Sequence, residues 1–194
     1  MGLRPSPFTP EGGHSATSAR LWCTFERMIA IRVATPEDLP ALTDIYNHYI
    51  VHTPITFDLK PLTPEERREW FDEHADSGRH RLLVAADTDG HVVGYTTSSR
   101  WRPKAAYDTT VESSVYCRDG ATGRGTGTRL YEALFAAIAD QDVHRIVAGA
   151  TMPNPASIAL HERFGFTRVG EFTAVGRKFG RYWNVAWFQR PMAR

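Results

Sequence analysis

The spacing of hydrophobic positions changes repeatedly along the chain, between the alternation typical of strands and the three-to-four spacing typical of helices. Two helix starts come early: Thr35 is followed by proline, and Thr63 is followed by Glu66 in a capping box. Two more helices are predicted from about Thr126 and after Asn154. Short apolar runs predict strands at 29–34, 82–86, 91–101, 109–117, 145–151, 166–173 and 182–189. The resulting order, β-α-α-β-β-β-α-β-α-β-β, predicts an α/β fold with a single mixed central β-sheet flanked by helices.

The most informative segment joins the fourth predicted strand to the helix that follows it. Its sequence is Gly123-Arg124-Gly125-Thr126-Gly127-Thr128. Glycines at alternate positions let a ligand approach the backbone closely, and the first amide groups of a helix have no partner within the helix. Because the helix dipole adds partial positive charge at the same end, the segment predicts a site for a pyrophosphate.

Two other phosphate-binding motifs do not match this loop. A dinucleotide G-x-G-x-x-G pattern fails in both registers, because Thr128 or Leu130 stands where the last glycine is required. A P-loop fails because no Gly-Lys-Ser/Thr follows. A tight connection that binds nothing remains an alternative for the turn. Glu112 lies on the strand just before the loop, and a carboxylate beside a phosphate site suggests group transfer from a phosphate-bearing cofactor.

The composition is typical of a globular protein with one domain. The chain has 194 residues, 42% of them hydrophobic, and its net charge of +1 indicates neither nucleic-acid nor membrane binding. No apolar run in the sequence approaches the length of a membrane span. The two cysteines, Cys23 and Cys117, are far apart and form no metal or redox motif, which predicts a reducing, cytoplasmic setting.

The first 27 residues differ from the rest of the chain. Gly, Pro, Ser and Thr are frequent there, and no hydrophobic periodicity is visible. We predict a disordered N-terminal extension at 1–27, followed by one folded domain at 28–194. An additional capping element is the alternative for the extension.

Several motifs, in order along the chain, resemble one family. The glycine loop is similar to the acetyl-CoA loop of the GNAT acyltransferases, whose pattern is Gln/Arg-x-x-Gly-x-Gly/Ala. Gly125 and Gly127 match this pattern, whereas Thr122 stands where Gln or Arg is expected. Within the family, the chain most resembles the phosphinothricin and methionine sulfone/sulfoximine N-acetyltransferases. The segments that carry this resemblance are 44–50, 101–103, 111–116, 154–157, 161–166 and 175–181.

The resemblance implies a GNAT fold over 28–194 and an activity. It implies an acetyl-CoA-dependent N-acetyltransferase that passes acetyl directly to the α-amine of a small amino-acid-like substrate. It also implies a homodimer and no metal. The alternatives are a protein or polyamine N-acetyltransferase, and a CoA-sensing module without catalysis.

Two residues are candidates for acid–base chemistry. Glu112 can accept the proton of the attacking amine if burial raises its pKa, although a strand carboxylate facing solvent is the alternative. The resemblance assigns the base to this position. His161 lies where many GNAT enzymes carry a tyrosine as acid for the leaving thiolate, so the resemblance implies the same role for it. A buried packing histidine is the alternative.

The resemblance also implies how the cofactor is held. Backbone groups of the fourth strand pair with the pantetheine arm, and the glycine loop holds the pyrophosphate. The resemblance implies that Asn154 binds the pantetheine amide. The simpler interpretation is that Asn154 only caps the helix that follows it. The candidate cofactor-binding residues are Val115, Tyr116, Cys117, Gly123, Arg124, Gly125, Thr126, Gly127, Thr128 and Asn154.

Three segments are expected to form the substrate pocket: the loop of Phe57, the loop at 102–107 and the C-terminal segment. Arg102 or Lys104 can pair with a carboxylate, sulfone or phosphinate oxygen, or can be a solvated loop charge. The candidate substrate-binding residues are Phe57, Arg102, Ala105, Ala106 and Tyr107. Lys178-Phe179 replaces the His-Lys pair of some phosphinothricin enzymes, which favours a substrate of the methionine-sulfone type.

Overall fold

The computed structural model describes residues 29–192, and the extension predicted for 1–27 lies outside them. The strands are β1 (Ala30–Val33), β2 (Arg81–Ala86), β3 (Val92–Arg100), β4 (Thr110–Cys117), β5 (Arg145–Met152), β6 (Thr167–Lys178) and β7 (Arg181–Pro191). The α-helices are α1 (Leu39–His52), α2 (Arg68–Asp72), α3 (Thr126–Ala137) and α4 (Pro155–Arg163). The order of helices and strands is the predicted one. No helix within 29–192 is long and apolar enough to cross a membrane.

The strands form one mixed sheet in the order β1-β2-β3-β4-β5-β7-β6. All neighbours are antiparallel except β4 and β5, which run parallel. This parallel pair is short, because it joins only Thr110–Glu112 to Arg145–Val147. Beyond Glu112 the two strands separate, so the second half of β4 has an open edge in the middle of the sheet.

The two faces of the sheet pack differently. One face packs against α3 and α4, and the buried cluster between them includes Leu134, Ile138 and Ile146, none of which is exposed. The other face packs against α1 and α2, and its buried cluster includes Leu42 and Val84. Alternate residues of each strand supply the two faces, as the pleat requires.

Two elements depart from the predicted boundaries. The capping box forms, since Glu66 accepts a hydrogen bond from the Thr63 amide at 2.7 Å, but regular helix is confined to α2. β6 continues five residues beyond the predicted end at 173. A bulge with Ala174 at φ 54° interrupts the alternation there, which is why the sequence pattern ends early.

Candidate active site

A cavity of about 350 Å³ opens between helices α1 and α2 and the face formed by β3 and β4. Aromatic rings form much of its wall, and hydroxyl and charged groups occupy the remainder. The lining residues are Tyr46, Asp58, Leu62, Glu66, Arg67, Trp70, Glu73, Tyr95, Thr97, Ser99, Glu112, Ser114 and Tyr116. A concave wall that combines aromatic rings with polar groups is typical of a small-molecule site.

Glu112 contributes a carboxylate to this cavity from the middle of β4. It pairs with Ser99 of β3 in the antiparallel ladder, at the last position where β4 also pairs with β5. Burial raises the pKa of the Glu112 carboxyl above its ordinary value, and the charge of Arg102 lowers that pKa by less. The carboxylate is therefore a stronger base than an exposed one, as acceptance of an ammonium proton requires.

Arg102 belongs to a second chamber of about 460 Å³, which shares Glu73 and Ser99 with the first. The Arg102 guanidinium lies 5.2 Å from the centre of the Trp101 ring, and Tyr107 meets that ring edge-on at 5.1 Å. Both chambers therefore meet beside Glu112. Arg102 lies near enough to Glu112 for its charge to act on the Glu112 carboxyl.

The other residues predicted for the 102–107 loop lie at the periphery. Ala105 and Ala106 are exposed, and with Tyr107 they form a turn of 3₁₀ helix. The Tyr107 side chain is 42% exposed and reaches the chambers only through Trp101. In the described structure these three residues do not line either chamber.

Phe57 does not line the cavity either. Its ring packs on the backbone of Gly176 in β6 so closely that a Cβ there would lie 2.2 Å from a ring carbon. The Lys178 ammonium donates to the carbonyl of Thr56 at 2.7 Å and holds the loop in this position. Phe57 therefore anchors the loop to the β6–β7 hairpin, while the neighbouring Asp58 faces the cavity.

The open edge of β4 follows from the alternation of backbone groups along a strand. The carbonyl of Thr109 accepts from the amide of Arg145 on the β5 side at 3.3 Å. The amide of Arg118 donates to Val93 on the β3 side at 2.8 Å. Odd-numbered residues of β4 thus direct their peptide groups toward β5, and even-numbered ones toward β3.

This alternation corrects the prediction for the three residues at the end of β4. The peptide groups of Tyr116 belong to the ladder with β3, and its side chain enters the cavity. Cys117 faces the open side, but its carbonyl accepts from the Tyr49 hydroxyl at 2.7 Å and its amide donates to the same oxygen at 3.3 Å. Val115 also directs its peptide groups toward the open edge, beyond the β4–β5 pairing.

The glycine loop leads directly into α3, which begins at Thr126. Gly123 and Gly125 adopt positive φ angles of 71° and 79°, and a Cβ on either would meet nothing within 4 Å. Arg124 between them is exposed, and Thr126–Thr128 form the first turn, whose amides lack partners within the helix. Amides at a helix N-terminus that lack partners within the helix, beside an open strand edge, fit the pyrophosphate and amide groups of a CoA molecule.

Gly127 lies in the first turn of α3, beside α4 and β4. A Cβ at this position would lie 3.5 Å from Leu160 of α4 and 3.6 Å from Val115 of β4, which are ordinary van der Waals contacts. The prediction that a ligand approaches the backbone at Gly123, Gly125 and Gly127 stays a prediction.

His161 is buried in the packed face, with 4% of its surface exposed. Its Nε2 lies 3.2 Å from the Tyr131 hydroxyl and its Nδ1 lies 3.2 Å from the Ser157 hydroxyl. The imidazole stacks on Phe188, with ring centres 5.1 Å apart. Burial lowers the pKa of His161 to about 4, so the ring is neutral at pH 7. These contacts support the alternative of a packing histidine over an acid for the leaving thiolate.

Asn154 caps α4, as predicted. Its side-chain oxygen accepts from the amide of Ser157 at 3.1 Å, which satisfies one of the free amides at the helix start. The cap uses only the oxygen of the Asn154 side chain. Because Asn154 follows β5 directly, it lies at the end of the strand that borders the open gap.

Sequence reasoning missed the residues at the floor of the cavity. Trp70 lies in α2, Arg67 directly precedes that helix and Tyr95 lies in β3. The fold brings these three residues together under Tyr46 of α1. No motif joins these positions in the sequence. Their apolar spacing indicates only a helix face and a strand face.

Comparisons with known proteins place this geometry in a family. A model of the acetyltransferase (GNAT) domain matches residues 31–187. The chain belongs to the GNAT acetyltransferases. It is 54% identical over 165 residues to a phosphinothricin N-acetyltransferase of Streptomyces coelicolor. The aligned region covers 84% of this chain and 96% of that protein. It is 39% identical to an L-methionine sulfoximine/L-methionine sulfone acetyltransferase of Pseudomonas aeruginosa, over 82% of this chain and 92% of that protein.

A solved structure supports the same assignment. A phosphinothricin acetyltransferase from Sinorhizobium meliloti, in complex with acetyl-CoA, superimposes with a TM-score of 0.81 at 32% identity. The match covers 85% of this chain and 89% of that one. The predicted fold, family and enzyme class are confirmed: the chain is an N-acetyltransferase of the phosphinothricin and methionine sulfoximine type.

Proposed function

We propose that this enzyme transfers the acetyl group of acetyl-CoA to the α-amine of a small amino-acid substrate of the phosphinothricin, methionine sulfone or methionine sulfoximine kind. The observation that carries the proposal is the half-buried Glu112 carboxylate, which lies where the two chambers meet beside Arg102. The names of the relatives supply the substrate class.

The residues of the two chambers divide the recognition of an amino acid between them. The Arg102 guanidinium pairs with the α-carboxylate, because a carboxylate is the group that an exposed guanidinium binds best. The α-ammonium then lies next to Glu112, and Glu112 accepts its proton. The raised pKa of Glu112 reduces the free-energy cost of that transfer.

The cofactor would be held on the other side of β4. The peptide groups of Val115 pair with its pantetheine arm, the amides of Thr126–Thr128 hold the pyrophosphate, and the side-chain nitrogen of Asn154 binds an amide of the arm. When bound, acetyl-CoA supplies an acetyl group activated as a thioester. The amine nitrogen would form the new bond to the acyl carbon, and the bond from carbon to sulfur would break with release of a thiolate. The second proton lost by the amine nitrogen would neutralise that thiolate.

The activity is tested by following free thiol release from acetyl-CoA with a panel of amines. We expect saturable thiol release with L-methionine sulfone, L-methionine sulfoximine and phosphinothricin. Alanine-initiated peptides and polyamines should give at least tenfold lower kcat/KM, because chambers of about 350 and 460 Å³ suit a small zwitterion better than a long chain. Faster turnover of a peptide or polyamine would contradict the proposed substrate class, and no release with any amine would favour a non-catalytic module.

We infer further that the protein is a homodimer through the β6–β7 hairpin. Five large apolar side chains of this hairpin are exposed: Val169, Phe172, Val175, Phe179 and Tyr182, each between 55% and 64%. A cluster of this kind on one element is typical of an interface. Phe172→Glu should convert a dimer to a monomer in light-scattering chromatography. Leu59→Glu, at a 69% exposed site outside the hairpin, should not. A monomeric wild type would contradict the inference.

The proposed setting is the reducing cytoplasm. Cys117 is buried as a free thiol in the described structure. Burial raises the pKa of this thiol to about 11, which keeps it protonated and unreactive. These properties are consistent with the predicted setting.

A further inference from the structure

Within residues 29–192, Arg67 is a buried cation that forms no ion pair with a carboxylate. Only 4% of its surface is exposed, yet it lines the cavity. Its Nη1 donates to the carbonyl of Leu42 at 3.0 Å, and its guanidinium carbon lies 4.4 Å from the Tyr46 ring centre and 3.9 Å from that of Trp70. No carboxylate within 29–192 forms an ion pair with it. Since a guanidinium carries five N–H donors, most of its donors are left for the cavity.

The Tyr95 hydroxyl lies on the same floor, next to Arg67. Tyr95 is 1% exposed and lines the cavity, and within residues 29–192 its hydroxyl forms no hydrogen bond of regular geometry. Arg67 acts on this hydroxyl through its charge and as a weak hydrogen-bond donor, so the two groups are neighbours. An unpaired buried hydroxyl is costly unless a ligand satisfies it.

The charges of the cavity are arranged by depth. The side chains of Asp58, Glu66 and Glu73 are exposed at its rim, whereas Arg67 is buried at its floor. A ligand that enters therefore meets carboxylates first and a cation last. This order suits a zwitterion whose ammonium group stays near Glu112 and whose far end carries acceptor oxygens.

We propose that the Arg67 guanidinium and the Tyr95 hydroxyl form a subsite for oxygen atoms bonded to sulfur or phosphorus at the side-chain end of the substrate. The inference rests on the proposed function, which places the α-amine at Glu112. The subsite makes Arg67 and Tyr95 specificity-determining residues, because they contact the part of the substrate that distinguishes a sulfone or phosphinate from an ordinary amino acid. A site built to donate hydrogen bonds to such oxygens discriminates against ligands that lack them.

A purely structural Arg67 would behave differently. As a cation held between Tyr46 and Trp70, it would support the cavity wall for every substrate alike. Its substitution would then lower kcat/KM for all amino acids by the same factor. The subsite predicts a loss confined to substrates with side-chain oxygens.

The test compares L-methionine sulfone with L-methionine, which differ only by the two sulfone oxygens. The ratio of their kcat/KM values is measured for wild type, Tyr95→Phe and Arg67→Lys. Tyr95→Phe removes one unpaired hydroxyl and should lower the ratio about tenfold through KM, with an unchanged or higher Tm. Arg67→Lys keeps the charge but loses the planar fork, and it should also lower the ratio at least about tenfold.

Each outcome is decisive. A ratio that stays unchanged in both variants, or a wild type without preference for the sulfone, would overturn the subsite. Equal losses for both substrates would assign Arg67 the structural role and overturn it too. If the wild type acetylates neither amine, the proposed function fails first and the subsite with it. If Arg67→Lys does not fold, the isosteric Tyr95→Phe decides alone.

Discussion

The two faces of the sheet differ in what their buried groups do. On the face that packs against α3 and α4, Leu134, Ile138 and Phe188 are almost fully buried, and the buried His161 is satisfied by neighbouring hydroxyls. On the face that packs against α1 and α2, the cavity with Arg67 and Glu112 interrupts the apolar packing. The comparison indicates that the first face mainly supplies stability, and that the second mainly supplies substrate chemistry.

β4 contributes alternate side chains to both faces of the sheet. Val111 is fully buried in the packed face, while the next residue, Glu112, faces the cavity. The open edge beyond Glu112 adds a third function, since peptide groups there are left for a cofactor. One strand therefore places the base, part of the core and the cofactor edge within a few residues of one another.

The largest expected effect is on the cavity face. Glu112→Gln keeps the shape of the side chain but removes its basicity, so kcat should fall about 10²–10⁴-fold at pH 7. Steady-state thiol release with L-methionine sulfone measures the loss. Acetyl-CoA affinity, measured by calorimetry, should barely change, because backbone groups of the opposite side hold the cofactor. Normal turnover of the folded variant would leave Glu112 as a structural strand residue.

The next effect concerns the packed face and falls on stability. Leu134 has no exposed surface, and Leu134→Ala should lower the free energy of unfolding by about 2–5 kcal/mol in urea titrations. Leu59 is 69% exposed, and Leu59→Ala should change that free energy by no more than about 0.5 kcal/mol. The kcat of folded Leu134→Ala should stay within about threefold of wild type. A hundredfold loss of kcat would mean that the two faces are not separable.

A smaller effect tests the histidine that the sequence suggests as an acid. The folded-state pKa of His161 is lowered to about 4 from 6.5, so the unfolded chain binds more protons between these values. The stability of the wild type should therefore fall as pH drops from 6.5 toward 4, by up to about 3 kcal/mol from this residue. His161→Gln should lack this part of the acid sensitivity.

The same variant separates packing from catalysis. With a packing role, His161→Gln keeps kcat within about threefold of wild type at pH 7, and only its urea midpoint changes. A fall in kcat of a hundredfold, with loss of the alkaline limb of the pH–rate profile, would restore the acid role.

The smallest effect concerns the cofactor loop. Gly125→Val places a side chain where the loop is open, and acetyl-CoA binding should weaken about tenfold, or about 1.4 kcal/mol, in calorimetry. Gly90→Val is the matched control, because Gly90 also has a positive φ with open space but lies in the β2–β3 turn. Equal affinities of the two variants would show that the open face of Gly125 does not meet the cofactor.

The parts that the sequence predicts well depend on local patterns. The order of helices and strands and the cap at Asn154 each depend on a few adjacent residues. Glu112 could also be proposed from the sequence, because it lies on the strand that leads into a recognisable loop. Cofactor recognition by backbone groups leaves a glycine signature that side-chain recognition does not.

The parts that the sequence does not predict depend on contacts between distant segments. Phe57 looks like a pocket wall in a loop, yet Gly176 in β6, 119 positions later, offers a flat backbone on which its ring packs. Arg67 looks like one of many surface charges of a helix, yet it turns inward between two aromatic rings. The resemblance implies an acid role for His161, but burial lowers its pKa to about 4 and keeps the ring neutral.

The most direct test of the assignment of Glu112 as the base is the pH dependence of kcat/KM. We predict that the wild-type value rises through an apparent pKa above the 4.5 of an ordinary glutamate, since burial raises the pKa of Glu112. Arg102→Met removes the charge that lowers this pKa and should move the rise to higher pH. Glu112→Gln should abolish the rise. The same rise at the same pH in Glu112→Gln would contradict the account.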